Sequence, residues 1–106
     1  MSFIDFVTDQ LSEIENITSR RMFGGYGLYR NGLIFAIIAD EELYFKSDDI
    51  SLAQFENLGT KPFTYERDGK KYSMKYWKIP FDILEDKEEL EKWCDLSYDV
   101  AIRAKK

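Results

Sequence analysis

Residues 17–39 read ITSRRMFGGYGLYRNGLIFAIIA, and the way this stretch is divided decides the fold. Near its centre, Asn31-Gly32 is the strongest two-residue hairpin signal in the chain. A type I′ turn requires positive φ at both central positions, and these two residues tolerate it best. The residues before the turn, Ile17 to Arg30, read as one strand that bends or bulges at Gly24 and Gly25 and continues through Tyr26, because strand glycines mark bulges or close backbone approach. The residues after it, Leu33 to Ala39, are apolar throughout rather than alternating, so they belong at the centre of a sheet with both faces covered. Helices in a two-layer domain cover only one of those faces. A long loop, a curled sheet or a partner subunit must cover the other, and homodimerisation is the favoured arrangement.

Outward from this hairpin, the N-terminal side opens on a helix. Ser2 caps it, Asp5 completes a capping box, and Phe3, Val7, Leu11 and Ile14 recur at helical spacing, which predicts a helix over residues 3–14. On the C-terminal side, Asp40 and Glu41 turn the chain into the strand ELYFKS. Ser51 and Gln54 then read as a capping box for a short helix carrying Leu52, Phe55 and Leu58, ended by Gly59. PFTYER and KKYSMKYWKI are two further strands joined by Asp68-Gly69, with Pro80 closing the sheet. Asp86 and Glu89 cap a long helix whose Leu90, Trp93, Cys94, Ser97, Ala101 and Ala104 share one stripe. The predicted order is αβββαββα. Tight turns and short connections leave no room for parallel crossovers, so the class is α+β, two layers with an antiparallel sheet, in one domain over residues 1–106.

Composition narrows the functions available. The chain has 106 residues, 44% hydrophobic and 33% charged, with a net charge of −5. Eight Phe, seven Tyr and two Trp argue against disorder. No run reaches the length of a membrane span, and the N-terminus carries acids where a signal peptide carries bases, which predicts a cytoplasmic protein with no membrane contact. Cys94 has no cysteine to pair with, and the absence of histidine disfavours zinc sites and histidine triads. Charge alternates along the chain: residues 40–58 sum to −5, residues 59–80 to +4 and residues 81–99 to −6.

Two groups of residues are candidate binding positions. The first is Arg20, Arg21, Phe23, Gly24, Gly25, Tyr26 and Gly27, whose glycines permit positive φ or close approach of another backbone. The spacing matches neither a P-loop nor a dinucleotide fingerprint, so a structural bulge is the more ordinary reading. The second is Lys71, Lys75, Tyr76 and Lys78, where cations and aromatic rings interleave as on a nucleic-acid surface. Strand alternation puts Lys71 and Lys75 on one face and Lys78 on the other, so the plainer role is a solvated sheet edge that discourages aggregation. The carboxylates of Glu85, Asp86, Glu88 and Glu89 suit a helix N-terminus. Cys94 and the aromatics Phe35, Tyr44, Phe45, Phe55 and Phe63 suit ordinary core positions. No catalytic, metal or cofactor constellation emerges, and the expectation is a protein that is not an enzyme.

The string from Arg20 to Tyr29, followed by Leu43-Tyr44-Phe45-Lys46, resembles the TfoX N-terminal domain family. The later spacing of Phe55, Gly59, Pro62, Phe63, Tyr65, Met74, Tyr76, Ile79, Pro80, Leu84, Glu85, Asp86 and Trp93 is similar to the rest of that domain. The resemblance implies a secretion-chaperone-like arrangement of the same element order. It also implies kinship with bacterial regulators of DNA-uptake competence that work with the transcription machinery and carry a second, helical domain. The expectation for this chain is then a stand-alone, non-catalytic protein-interaction module, a homodimer with a protein partner in the transcription or competence machinery, with nucleic-acid binding as the alternative.

Overall fold

The computed structural model describes residues 2–22 and 24–105. Along the chain run α1 (Phe3–Gln10), β1 (Ile17–Met22), β2 (Gly25–Arg30), β3 (Leu33–Ala39), β4 (Glu42–Lys46), α2 (Leu52–Glu56), β5 (Pro62–Arg67), β6 (Lys70–Lys78), α3 (Phe81–Leu84) and α4 (Lys87–Lys105). The strands form one antiparallel sheet in the order β1-β2-β3-β4-β6-β5, so the α+β class holds.

The element order differs from αβββαββα in two places. The first is the glycine pair. Ile17 to Arg30 is not one bent strand: Met22 faces Gly25, the register runs back to Ile17 opposite Arg30, and Gly24 adopts φ +80° in the connection. Phe-Gly is not a usual type I′ pair, so the stretch lacks the signature that Asn31-Gly32 and Asp68-Gly69 carry, both of which take positive φ at both positions. The bulge lies instead in β3, where Leu28 faces Ala36 and Tyr29 faces Ile34, leaving Phe35 as the extra residue. The second difference is α3, a single turn after Pro80 that carries no helical periodicity of its own.

Capping follows the sequence at both long helices. Ser2 and Asp5 form the full capping box, and the Asp86 carboxylate accepts from the Glu89 amide at 3.2 Å. The first helix nonetheless ends at Gln10 rather than Ile14, and Asn16 turns the chain with φ 64°. Ahead of α2 the expected Ser51–Gln54 box is absent. Asp48 takes the capping role one turn earlier, accepting from the Ser51 amide at 3.0 Å while the Ser51 Oγ accepts from the Asp48 amide at 3.0 Å.

One face of the sheet carries the helices. Leu28, Phe35, Ala36, Ile38, Leu43 and Phe45 join Val7 of α1, Leu11 just past its end, Phe55 of α2, Leu84 of α3 and Leu90, Cys94 and Ala101 of α4 in a single buried cluster. Ser97 is buried in this layer and ties α4 to the sheet, its Oγ lying 2.7 Å from the Phe35 carbonyl and 2.9 Å from that of Lys46. The Gln10 amide donates to the Leu84 carbonyl at 3.0 Å and links α1 to α3.

Candidate functional site

Strand alternation sends every second residue to the face opposite the helices. Register places Gly27, Ile37, Tyr44 and Lys78 in one cross-strand row on that face, with Tyr29 and Ile34 beside it. Met22, Tyr29, Ile34, Ile37, Tyr44 and Phe63 are half-buried there and stand outside the buried cluster under the helices. The rings of Tyr44 and Phe63 meet edge to face with centroids 5.2 Å apart. Gly27 keeps the row flat, because a Cβ there would stand 2.8 Å from Met22 Cε and 3.2 Å from Ile34 Cδ1. Tyr76 is buried on this face. Desolvation pushes its phenol above the usual tyrosine value, and the Tyr29 phenol adds to the shift, which places the two within electrostatic reach across β3 and β4. No described helix lies over this side.

The two expected binding groups fall at opposite ends of the sheet, separated by three strand spacings, about 14 Å. Arg20 lies opposite Gly27 on the helix-free side. Arg21 lies opposite Tyr26 on the other, its guanidinium 5.8 Å from the ring centroid. Phe23 lies outside the described residues. Gly25 is required by packing, since any Cβ would overlap the Ile38 carbonyl oxygen of β3, and Gly24 supplies the positive φ of the turn. Each of these glycines thus has a structural task. At the other end Lys75 pairs with Asp49 at 3.3 Å and Lys78 with Glu42 at 3.2 Å, while Lys71 stands opposite Glu66. The cations are therefore divided between faces and partly matched by local acids.

The reading that put Tyr44 and Phe63 in the core needs correction. Phe35, Phe45 and Phe55 are fully buried there, whereas Tyr44 and Phe63 project from the opposite side. The alternation Leu43-Tyr44-Phe45 carried that information. Tyr29, Ile34 and Ile37 carry no individual signal in the sequence, because an apolar residue in an apolar strand has no signature until the register is known.

Elsewhere, polar groups serve the fold. Arg103 of α4 donates to both oxygens of Asp48 at 2.8 and 3.0 Å, and this bond, with those from Ser51, holds the Asp48 carboxyl down at about 2. Arg30 bonds Asp95 at 2.7 Å and stacks 4.6 Å from the Tyr98 ring centroid. Cys94 is buried, and desolvation pushes its thiol up to about 12, far from the range of a nucleophilic thiolate. Among the described residues no group of three or more carboxylates and thiols could hold a metal, and no helix is long and apolar enough to cross a membrane.

The comparisons with known proteins agree on one lineage. The TfoX N-terminal domain matches residues 9–101. Protein Sxy of Escherichia coli strain K12 is 24% identical over 97 residues, covering 92% of this chain and 46% of the relative. The DNA transformation protein TfoX of Haemophilus influenzae Rd is 29% identical over 97 residues, covering 89% of this chain and 45% of the relative. The chain spans a little under half the length of either.

Proposed function

The chain belongs to the TfoX N-terminal domain family, and from that membership we propose that it is a non-catalytic regulatory module of a bacterial, cytoplasmic competence system, acting by protein contact. In this reading it forms a homodimer through the helix-free sheet face and engages a protein of the transcription or competence machinery. The Haemophilus influenzae relative, named for DNA transformation, supports the setting. The observation that carries the contact reading is the face built from Tyr29, Ile34, Ile37 and Tyr44, a contiguous apolar and aromatic surface with no described helix over it. Tyrosines with an apolar body and a polar tip are suited to such surfaces, and the Glu42–Lys78 pair at its margin offers both signs of charge to a second copy.

Sedimentation velocity across the micromolar range tests this. A dimer that dissociates on Ile37→Glu supports it, and a wild-type chain that stays monomeric at every concentration removes the dimer. Nucleic-acid binding is the weaker alternative, because Arg20 and Arg21 diverge and Lys75 and Lys78 are in ion pairs. Anisotropy titration with DNA and RNA oligonucleotides at rising salt would promote it if binding were tight and steeply salt-dependent.

A further inference from the structure

β6 is longer than its neighbour. Its register with β4 covers only Tyr76, Trp77 and Lys78, and the last bond on that side runs from the Ser47 amide to the Lys75 carbonyl at 2.7 Å. Beyond Ser47 the chain leaves the sheet for the Asp48 cap of α2. Residues 70–75 of β6 therefore pair with β5 on one side and with no described strand on the other. Backbone groups along a strand point alternately to its two neighbours. Since Lys75 points toward β4, Ser73 and Lys71 point the same way, and their N–H and C=O groups line an open edge where β4 stops. The segment is exposed throughout.

We propose that this open edge of β6 is a strand-addition site for an extended, acidic segment of a partner protein, which would continue the line of β4. Three observations point to that occupant. The edge has unpaired main-chain groups in ladder spacing, the feature that strand addition uses. It is basic: Lys71 lies on it, Lys70 and Lys75 stand at its two ends, and residues 59–80 sum to +4 in a chain of net charge −5. Lysines along an edge repel a second copy of the same strand while attracting a carboxylate-bearing one. Beside the edge lies a cleft of about 220 Å³ whose walls include Leu52, Ser73, Met74 and Trp77, which would receive alternate side chains of the added strand; the two carboxylates at its β4 end, Asp48 and Asp49, are already paired with Arg103 and Lys75. Trp77, which forms part of the cleft wall, has its indole N–H buried without an acceptor in the described structure.

This surface is separate from the helix-free face, and the two readings fail separately. The test uses the full chain with a short synthetic peptide alternating Glu and Thr, the same peptide with Lys for Glu, and a DNA duplex. Amide exchange followed by NMR should show Lys71 and Ser73 gaining protection with the acidic peptide. Ser73→Pro deletes a donor on the open side while sparing the ladder to β5, and should weaken peptide binding by about tenfold. Lys70→Glu with Lys71→Glu should do the same and remove the salt dependence, and it carries the test if proline disturbs the hairpin. The proposal falls if those amides gain no protection, if the lysine peptide binds equally well, or if the duplex protects them in place of the acidic peptide. It also falls if they are already protected in the free chain in proportion to its concentration, which would make the occupant a second copy.

Discussion

The two faces of the sheet are built from the same strands and from nearly the same kinds of residue, yet they end in different environments. Under the helices, Leu28, Phe35, Leu43 and Phe45 are at most 1% exposed, while their neighbours Tyr29, Ile34 and Tyr44 on the opposite face stay half-buried. The first set meets α1 and α4. The second meets other strand side chains of its own face, such as Phe63 beside Tyr44, and water in the isolated chain. Apolar content therefore does not separate residues that stabilise from residues available for recognition; only the element packed over each face does.

The sharpest way to break this contrast is to truncate adjacent residues of β4. Phe45→Ala leaves a cavity in the closed core and should lower stability by about 4 kcal/mol, a large part of a typical domain's total. Tyr44→Ala removes an aromatic pair on the open face and should cost about 1 kcal/mol. Urea unfolding of both variants compares them directly, and equal losses would mean that the second face is as closed as the first.

A smaller effect probes how the faces are held in register. Gly25→Ala forces β2 away from β3, because the new methyl overlaps the Ile38 carbonyl oxygen, and should cost about 2 kcal/mol. Gly24→Ala meets no atom and bears only the strain of φ +80°, about 1 kcal/mol. If the order of the two losses were reversed in thermal melts, close strand approach would not be what the second glycine is for.

Smaller again is the electrostatic tie that fixes α4 over its face. The Asp48 carboxyl lies at about 2, below its ordinary value of 3.8, chiefly through the Arg103 bond. A depressed carboxylate stabilises the fold above its ordinary value, and that contribution is lost as pH falls toward the folded one. Partial solvent exposure reduces it to about 1 kcal/mol. Arg103→Gln should therefore flatten the fall in stability between pH 5 and pH 2 by about that amount, read by chemical denaturation at each pH.

Much of this architecture was legible because its signals are local. Asn31-Gly32, Asp68-Gly69, Ser2 with Asp5, and the stripe on α4 each declare themselves within a few residues, by φ preference or by helical spacing. The Gly24 hairpin did not, since its amide and carbonyl pairings join residues whose approach no short motif encodes, and three glycines suit a bulge as readily as a turn. The helix-free face was legible only in outline. Seven consecutive apolar residues announced that β3 carries apolar side chains on both sides, but the bulge at Phe35 resets which residues share a face, and register decided that Ile34 and Ile37 point away from the helices. The acidic caps hid nothing: their structural role at helix starts was the reading from spacing, and Asp86 fills it. The open edge of β6 was invisible, because it depends on where a different strand ends.

The smallest change in stability is expected where the effect on association is greatest. Ile37→Ser replaces a half-buried side chain on the helix-free face without opening a cavity beneath α4, so in dilute solution it should shift the unfolding free energy by no more than about 0.5 kcal/mol. Linkage makes the same substitution informative at high concentration. A wild-type chain that pairs through this face is stabilised by its own mass action, so its melting temperature should rise with protein concentration, while that of the variant should not. The contrast between the two faces then becomes a contrast between two kinds of loss, one seen at every concentration and the other only where chains can meet. A melting temperature independent of concentration for both proteins would return Ile37, Tyr44 and their neighbours to the status of ordinary solvent-facing residues, and would leave the edge of β6 as the surface to pursue.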